Sequence, residues 1–263
     1  MDFGLKGKKA VVSGSTAGIG LAIATALAAE GANVVVNGRT EARVNSALEK
    51  IRQHHKTANL QGIAADLGTA SGVEAFVKQV ANADVLINNL GIFEPKPFAE
   101  IPDADWLRFF EVNVLSGVRL VRHYLPGMLE NNWGRIIFIS SESAVQIPAE
   151  MIHYGMTKTA QIAVARGLAE SVAGTGVTVN SVLPGPTASE GVTGFLDSMA
   201  KQRNLSIAEI EKEFFKSVRP SSLLKRFETP EEIAAVVAFV ASAQSAAISG
   251  AAVRAEGGVI RSI

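Results

Sequence analysis

The sequence predicts an α/β protein, a doubly wound parallel β-sheet of about seven strands with helices on both faces. Three observations predict it. Short β-branched runs alternate with helical segments along the whole chain, the pattern of a parallel sheet with crossover helices. A glycine-rich turn joins the first strand to the first helix. The fourth strand, "ADVLINN" (83–89), is apolar on both faces, as strands buried between two helical layers are.

The elements follow in order. "KKAVVS" (8–13) is the first strand; after the glycine turn, 18–30 carries alanine and leucine at helical spacing. "NVVVN" (33–37) is a second strand, 41–55 a polar-faced helix, "LQGIAAD" (60–66) a third strand and 70–80 a helix. After the fourth strand, a loop with Pro95, Pro97 and Pro102 leads into one long helix over about 103–128. "GRIIFIS" (134–140) is the fifth strand, 150–173 a helix and "GVTVNSVLP" (176–184) the sixth strand. Beyond "PGP" (184–186) the pattern loosens, with amphipathic pieces near 190–200 and 206–217. Thr229, Pro230 and Glu232 open the next helix as N-cap, first-turn proline and N3 glutamate. "GAAVRAEGG" (250–258) closes with a short strand. No linker, composition break or repeat divides the chain, so one domain is expected over 1–263.

Composition narrows the function. With 48% hydrophobic and 19% charged residues, a large core is expected and disorder is not. Lysine plus arginine and aspartate plus glutamate both number 25, which leaves no electrostatic footprint for nucleic acid or an anionic membrane. The absence of cysteine excludes disulfides, thiolate metal sites and cysteine nucleophiles; it fits a reducing compartment, and a cytoplasmic location is expected. The stretch "KGKKAVVSGSTAGIGLAIATALAA" has the basic start and Ala-x-Ala end of a signal peptide, but "SGSTAGIG" interrupts its apolar part. No apolar run reaches the length of about 18 residues that a membrane span needs. No spacing of ligands suggests a metal: His54 and His55 are adjacent and diverge on a helix, and His153 faces away from Tyr154.

Gly14, Gly18 and Gly20 give G-x-x-x-G-x-G between strand and helix. Such glycines permit a tight turn, let the backbone approach a pyrophosphate and present helix N–H groups to it. The turn lacks the Gly-Lys-Ser/Thr of a P-loop, and "GSTAG" has Thr16 where a nucleophile elbow has serine. The second strand ends in Asn37, Gly38, Arg39 and Thr40. No carboxylate stands there to bind the ribose hydroxyls of NAD, and Arg39 could pair with a 2′-phosphate. The plainer use of Arg39 is a solvated surface residue; the expectation is NADP(H) over NAD(H).

Tyr154 and Lys158 lie at i and i+4 on the predicted helix and share one face. A tyrosine ionises near pH 10, too high for a base at neutral pH, and a nearby ammonium favours the phenolate. Lowering it by about 3 units takes roughly 4 kcal/mol. A tyrosine so tuned can protonate a carbonyl oxygen or deprotonate an alcohol. An isolated Y-x-x-x-K is a common chance pairing, and the surrounding motifs decide its meaning.

Seven motifs stand in order: "SGSTAGIG" (13–20), Asp66, "NNLG" (88–91), Asn113 in "EVNVLSG", "ISS" (139–141), "YGMTK" (154–158) and "NSVLPGPT" (180–187). Together they make the chain resemble the short-chain dehydrogenase/reductase family over essentially its full length, most of all its 3-oxoacyl-acyl-carrier-protein reductase-like branch. The resemblance implies a single Rossmann-like domain, an NAD(P)-dependent enzyme acting on CH–OH groups, and a homotetramer or homodimer. It implies Tyr154 as general acid/base and Lys158 as the residue that lowers its pKa and bonds the nicotinamide ribose. It makes Ser141, thirteen residues earlier, the holder of the substrate oxygen, and has Asn113 kink its helix and anchor a water leading from Lys158 to solvent. For the cofactor it implies Gly14, Ser15, Thr16, Gly18, Ile19 and Gly20 in the first turn. Asp66 and Leu67 would lie at the adenine, Asn89 and Gly91 beside the cofactor, and Pro184, Gly185 and Thr187 around the nicotinamide carboxamide.

Three features depart from the family pattern. Leu90 stands where alanine is usual, Ser13 where threonine is commoner, and "RAEGG" (254–258) replaces a "VDGG"-like segment. Glu142 follows Ser141 and either enters the substrate pocket or is a solvated loop carboxylate. The stretch 187–228 is long for a plain connection and reads as a substrate lid. Its Phe195, Leu196, Met199, Phe214 and Phe215, with Ile92, Phe93, Ile147 and Met151 nearby, predict a medium-sized, partly hydrophobic substrate, unless they pack against the body or another subunit. The expected function is NADP(H)-dependent hydride transfer between nicotinamide and a ketone or secondary alcohol. The alternatives are an NAD(H)-dependent alcohol or sugar dehydrogenase, or a non-catalytic dinucleotide-binding sensor.

Overall fold

The structure is a computed structural model and describes residues 2–263; the side chains of Phe195, Asp197, Ser198 and Met199 lie outside what is described, and with them two of the apolar lid positions. Seven strands form one sheet: β1 (Lys9–Val12), β2 (Asn33–Gly38), β3 (Leu60–Ala64), β4 (Val85–Asn88), β5 (Gly134–Ile139), β6 (Val177–Pro184) and β7 (Ala252–Ala255). Their order is β3-β2-β1-β4-β5-β6-β7, and every pairing is parallel. Nine α-helices are described: α1 (Gly18–Ala29), α2 (Glu41–His54), α3 (Ala70–Gln79), α4 (Asp103–Phe110), α5 (Ser116–Glu130), α6 (Ile152–Ser171), α7 (Glu190–Arg203), α8 (Ile207–Ser217) and α9 (Pro230–Ala241).

The period of two along each strand divides the core. Ala10, Val12, Val34, Val36, Val85 and Ile87 point to one side, where Ile23 and Leu27 of α1, Ile51 of α2 and Val237 of α9 cover them. Val11, Val35, Leu86, Ile136 and Phe138 point to the other, against Phe76 of α3, Leu120 and Tyr124 of α5 and Ala165 of α6. Phe76 and Phe138 are fully buried; truncating either to alanine costs about 3–5 kcal/mol.

Helix starts follow local chemistry. Thr40 and Thr69 cap α2 and α3 by accepting from Arg43 N and Gly72 N. Thr229 and Glu232 form a reciprocal capping box on α9, with Pro230 in its first turn. The single helix expected over 103–128 is interrupted: α4 and α5 are joined through a π-helical turn, Glu111–Leu115. Asn113 sits in it. Its Oδ1 accepts from Ile92 N at 2.8 Å, and its Nδ2 donates to the Ile92 carbonyl at 3.0 Å and to Thr157 Oγ1 at 2.9 Å. A buried amide bonded to two other segments is positioned by them, and the helix accommodates it with a wider turn.

The chain reverses direction across the sheet between β1 and β4. In open parallel sheets, ligands bind outside the carboxyl ends of the strands at such a switch point. The turns after β1, β4, β5 and β6 all emerge there.

Candidate active site

The turn after β1 is built from short side chains that bond inward. Gly14 and Gly18 have φ of +61° and +54°, where a side chain is strained. A Cβ on Gly20 would lie 2.4 Å from both the Gly14 carbonyl and Asn89 Nδ2, so the turn closes only around glycine. Ser13 Oγ accepts from Asn89 N and Leu90 N, both at 3.0 Å, and Asn89 Nδ2 donates to the carbonyls of Ser13 and Gly14. Ser13, in place of the commoner threonine, thus clamps "NNLG" to the glycine turn. Ser15 Oγ is consumed by Val12 O and Asn37 N; its side chain faces the sheet. Leu90 packs against the position a Gly14 Cβ would take, at 3.3 Å.

The N-terminus of α1 is open. It has no side-chain cap and no acidic residue in its first turn, whereas α2, α3 and α9 are capped. Uncapped N–H groups behind a glycine turn suit the pyrophosphate of a dinucleotide. At the end of β2 a cavity of about 190 Å³ is lined by Thr16, Gly38, Arg39, Arg43, Asp66 and Leu67 among others. These residues fit a dinucleotide. A second cavity, about 280 Å³, lies at the opposite end of β6 beside Arg166 and Gly250, away from every residue of the site.

Four segments bring the acid/base candidates together. Tyr154 and Lys158 project from α6, and the Lys158 ammonium lies 5.6 Å from the centre of the Tyr154 ring. Ser141, at the end of β5, accepts from Ser143 N at 3.1 Å, and Ser140 Oγ donates to the Lys158 carbonyl. A Cβ on Gly91 would lie 3.4 Å from Lys158 Nζ and 3.5 Å from Asn113 Oδ1. Lys158 Nζ donates to the Ile139 carbonyl at 2.8 Å and to Gln161 Oε1 at 3.2 Å, and Gln161 Nε2 donates to the Asn113 carbonyl at 2.6 Å. These bonds tie Lys158 through Gln161 to the Asn113 backbone carbonyl.

The charges depart from expectation. Burial pushes the Tyr154 phenol up to about 12, while the Ser141 hydroxyl acts in the opposite direction. Burial also pushes Lys158 down to about 7, so at neutral pH it carries only part of its charge. Lys158 is buried and Tyr154 half-buried, and loss of water penalises both ionised forms. The Lys158 ammonium is held by two neutral acceptors, the Ile139 carbonyl and Gln161 Oε1.

Past β6, Gly185 N donates to the Ala255 carbonyl and to Glu228 Oε2, both at 3.0 Å. Thr187 Oγ1 donates back to the Gly185 carbonyl at 2.9 Å. A Cβ on Gly185 would lie 2.7 Å from the Glu256 carbonyl. Burial raises Glu228 to about 7, with the carboxylates of Glu232 and Glu256 adding to the rise and Gly185 N opposing it.

The segment 187–228 stands over this floor. A Cβ on Gly18 would lie 3.1 Å from Ser189 Cβ, Arg43 pairs with Glu190 at 3.4 Å, and Gly191 lies beside Phe93. Phe93 in turn meets Tyr154 edge-on at 6.3 Å. Leu196, Ala200, Ile210, Phe215 and Phe227 form a small core of their own, with Phe214 against it. Leu196, Phe214 and Phe215 are thus consumed within the segment, while Phe93 and Ile147 remain exposed.

Comparison with known proteins matches the short chain dehydrogenase family model over residues 8–200. The chain belongs to the short-chain dehydrogenase/reductase family. It is 50% identical to the uncharacterized oxidoreductase YvaG of Bacillus subtilis (strain 168), with both chains covered fully. It is 32% identical to the D-beta-hydroxybutyrate dehydrogenase of Cupriavidus necator, covering 97% of this chain and 98% of that one. Among solved structures, the L-sorbose reductase of Gluconobacter frateurii complexed with NADPH and L-sorbose superposes with a TM-score of 0.94 at 31% identity, covering both chains fully. The fold and motifs make this protein an NAD(P)-dependent oxidoreductase.

Four residues of this short-chain dehydrogenase escaped the sequence. Arg43 lines the cavity beside Arg39, four positions on; Gln161 extends the Tyr154–Lys158 face by one turn. Gln161 had a signal in helical spacing, and Arg43 in its place on the first turn of α2 beside Arg39. Arg219 and Glu228 had none, since each acts on a partner far away in the chain. Glu142, expected in the pocket or in solvent, is buried and paired with Arg219 at 2.8 Å.

Proposed function

We propose that this enzyme transfers hydride between NADP(H) and a ketone or secondary alcohol, with Tyr154 as the general acid/base. The convergence of Tyr154, Lys158, Ser141 and Asn113 at one end of the sheet carries the reading. Bound NADPH supplies the hydride. Ser141 holds the substrate oxygen, Tyr154 gives that oxygen its proton, and a water anchored at Asn113 resupplies it from solvent through Lys158, which Ile139 and Gln161 hold in place. In the oxidative direction Tyr154 removes the alcohol proton. Arg39 and Arg43, with no carboxylate at the end of β2, support NADP(H) over NAD(H).

The segment 187–228 serves as the substrate cover, and the exposed Phe93 and Ile147 near Tyr154 favour a substrate with an apolar part. The exposed Leu107, Phe98 and Phe110 support assembly into a homodimer or homotetramer, which light scattering measures directly. The absence of cysteine supports a cytoplasmic setting.

The deciding experiment follows NADPH absorbance across a panel of ketones with the wild type and Tyr154→Phe. The variant is expected to lose roughly 10²–10⁴-fold in turnover while NADPH binding, read by fluorescence, persists. Retained turnover in Tyr154→Phe would remove Tyr154 from the chemistry. NADPH binding with no turnover of any ketone or alcohol by the wild type would favour a sensor.

A further inference from the structure

One charged group beside the acid/base site has no part in the chemistry described above. Arg219 lies just past the end of α8, and its side chain is only 8% exposed. Its Nε donates to Glu142 Oε1 at 2.8 Å, and its Nη1 to Glu150 Oε1 at 3.2 Å and to the Val218 carbonyl at 3.0 Å. Glu142 is the residue after Ser141, and Glu150 stands four before Tyr154. The partners lie 77 and 69 positions away in sequence. One guanidinium thus holds the cover to both loops that deliver the acid/base pair. Among the described residues Glu142 Oε2 is buried without a hydrogen-bond partner, so the Glu142 charge is only partly answered.

We propose that Arg219 is a positioning residue: by holding the carboxylates of Glu142 and Glu150 together, it latches the 187–228 cover onto the Ser141 loop and the start of α6, and it sets the charge that faces the Tyr154 phenol. The proposal rests on Tyr154 being the acid/base. A planar guanidinium suits this task because its fork of donors reaches two carboxylates at once; a lysine ammonium cannot reproduce that geometry. Closure of the cover and ordering of Ser141 and Tyr154 then become a single event.

The charges around the phenol support the second half. Lys158 lies beside it on the same helix, and the Glu142–Arg219 pair, with Glu150 also on Arg219, acts on it from the turn after β5 and from the cover. Lys158 is pushed down to about 7 and carries little charge in alkali. Glu142 and Arg219 are then the main charges left, and they act on Tyr154 in opposite directions: Glu142 raises it and Arg219 lowers it. A pair that only braced the loop would give changes of one sign when either member is lost.

Tyrosinate absorbance tests this without a substrate. The chain has two tyrosines, and the Tyr124 hydroxyl is buried against the Val80 carbonyl. Subtracting the titration of Tyr154→Phe from that of the full-length protein isolates Tyr154, at alkaline pH where circular dichroism still reports a native fold. Glu142→Gln is expected to move the Tyr154 titration down by roughly one unit, and Arg219→Gln to move it up by a similar amount. Arg219→Lys, which keeps the charge and serves if Arg219→Gln does not fold, is expected to titrate near the wild type. In hydrogen exchange, Arg219→Lys is expected to speed the amides of 142–152 and of 206–222 together. Shifts of the same sign, no shift, or faster exchange confined to 206–222 would each overturn the latch. If Tyr154→Phe keeps its turnover, the assignment of Tyr154 fails instead, which these substrate-free readings distinguish.

Discussion

Lys158 holds its ammonium 5.6 Å from the centre of the Tyr154 ring and donates it to the Ile139 carbonyl at 2.8 Å. The lysine is committed to the end of β5 rather than to the phenol. It is therefore a buried cation with two neutral acceptors, and its penalty is readable in stability.

Lys158 has its folded pKa depressed to about 7 from 10.5 by burial. Stability linked to it is fully present above the unfolded value and is lost as pH falls towards the folded one. Wild type relative to Lys158→Met is expected to gain up to about 3 kcal/mol between pH 7 and roughly 9.5. Urea denaturation of both proteins at the two pH values measures it; parallel behaviour would mean Lys158 is charged throughout.

Glu228 has the opposite sign. Its folded pKa is raised to about 7 from 4.5 by burial and by Glu232 and Glu256, so its contribution is complete below 4.5 and is lost as pH rises through 7. Glu228→Gln keeps an acceptor for Gly185 N. It is expected to melt higher than the wild type at about pH 8, by up to about 3 kcal/mol in stability, and equally at about pH 4.5. A thermal melt at both pH values decides.

Arg43 pairs with Glu190 across the mouth of the cavity that Arg39 lines. If both arginines meet a 2′-phosphate, Arg43→Ala is expected to lower kcat/KM for NADPH about 10–100-fold, the worth of one charge-assisted hydrogen bond, and to leave NADH unchanged. Arg39→Ala is expected to do the same. An equal loss with both cofactors would place Arg43 in structure alone.

His153 is fully buried between Trp106 and Phe109, and among the described residues neither ring nitrogen has a hydrogen-bond partner. Burial lowers its pKa, so stability is present above about 6.5 and falls as acid charges the unfolded chain first. His153→Leu is expected to gain about 1–2 kcal/mol near neutral pH by removing the unsatisfied polar atoms and to flatten the acid limb. Chemical denaturation between about pH 5 and 7.5 shows whether it does.

Much of the fold was legible because local rules agree with the global arrangement. Apolar residues on both faces of β1, β2 and β4 require cover on both sides, and Thr229, Pro230 and Glu232 mark a helix start without any tertiary help. Tyr154 and Lys158 share a face through helical spacing alone. The break at Asn113 was legible only as a family expectation, since the bonds that hold its amide come from Ile92 and Thr157.

The cover shows where such reading ends. Leu196, Phe214 and Phe215 look alike whether they face a substrate or one another, because amphipathic spacing says that a face is buried and not against what. The fold gives them to a separate small core and leaves Phe93 and Ile147 exposed. By itself the sequence determined the strand and helix order, the glycine turn and the Tyr154–Lys158 face, each set by contacts within a few residues. Only the tertiary structure decided that Arg219 meets Glu142, that Arg43 meets Glu190 and that burial raises Tyr154. Those depend on distances between segments far apart in the chain and on how much water the packing excludes, and neither leaves a periodic trace in the sequence.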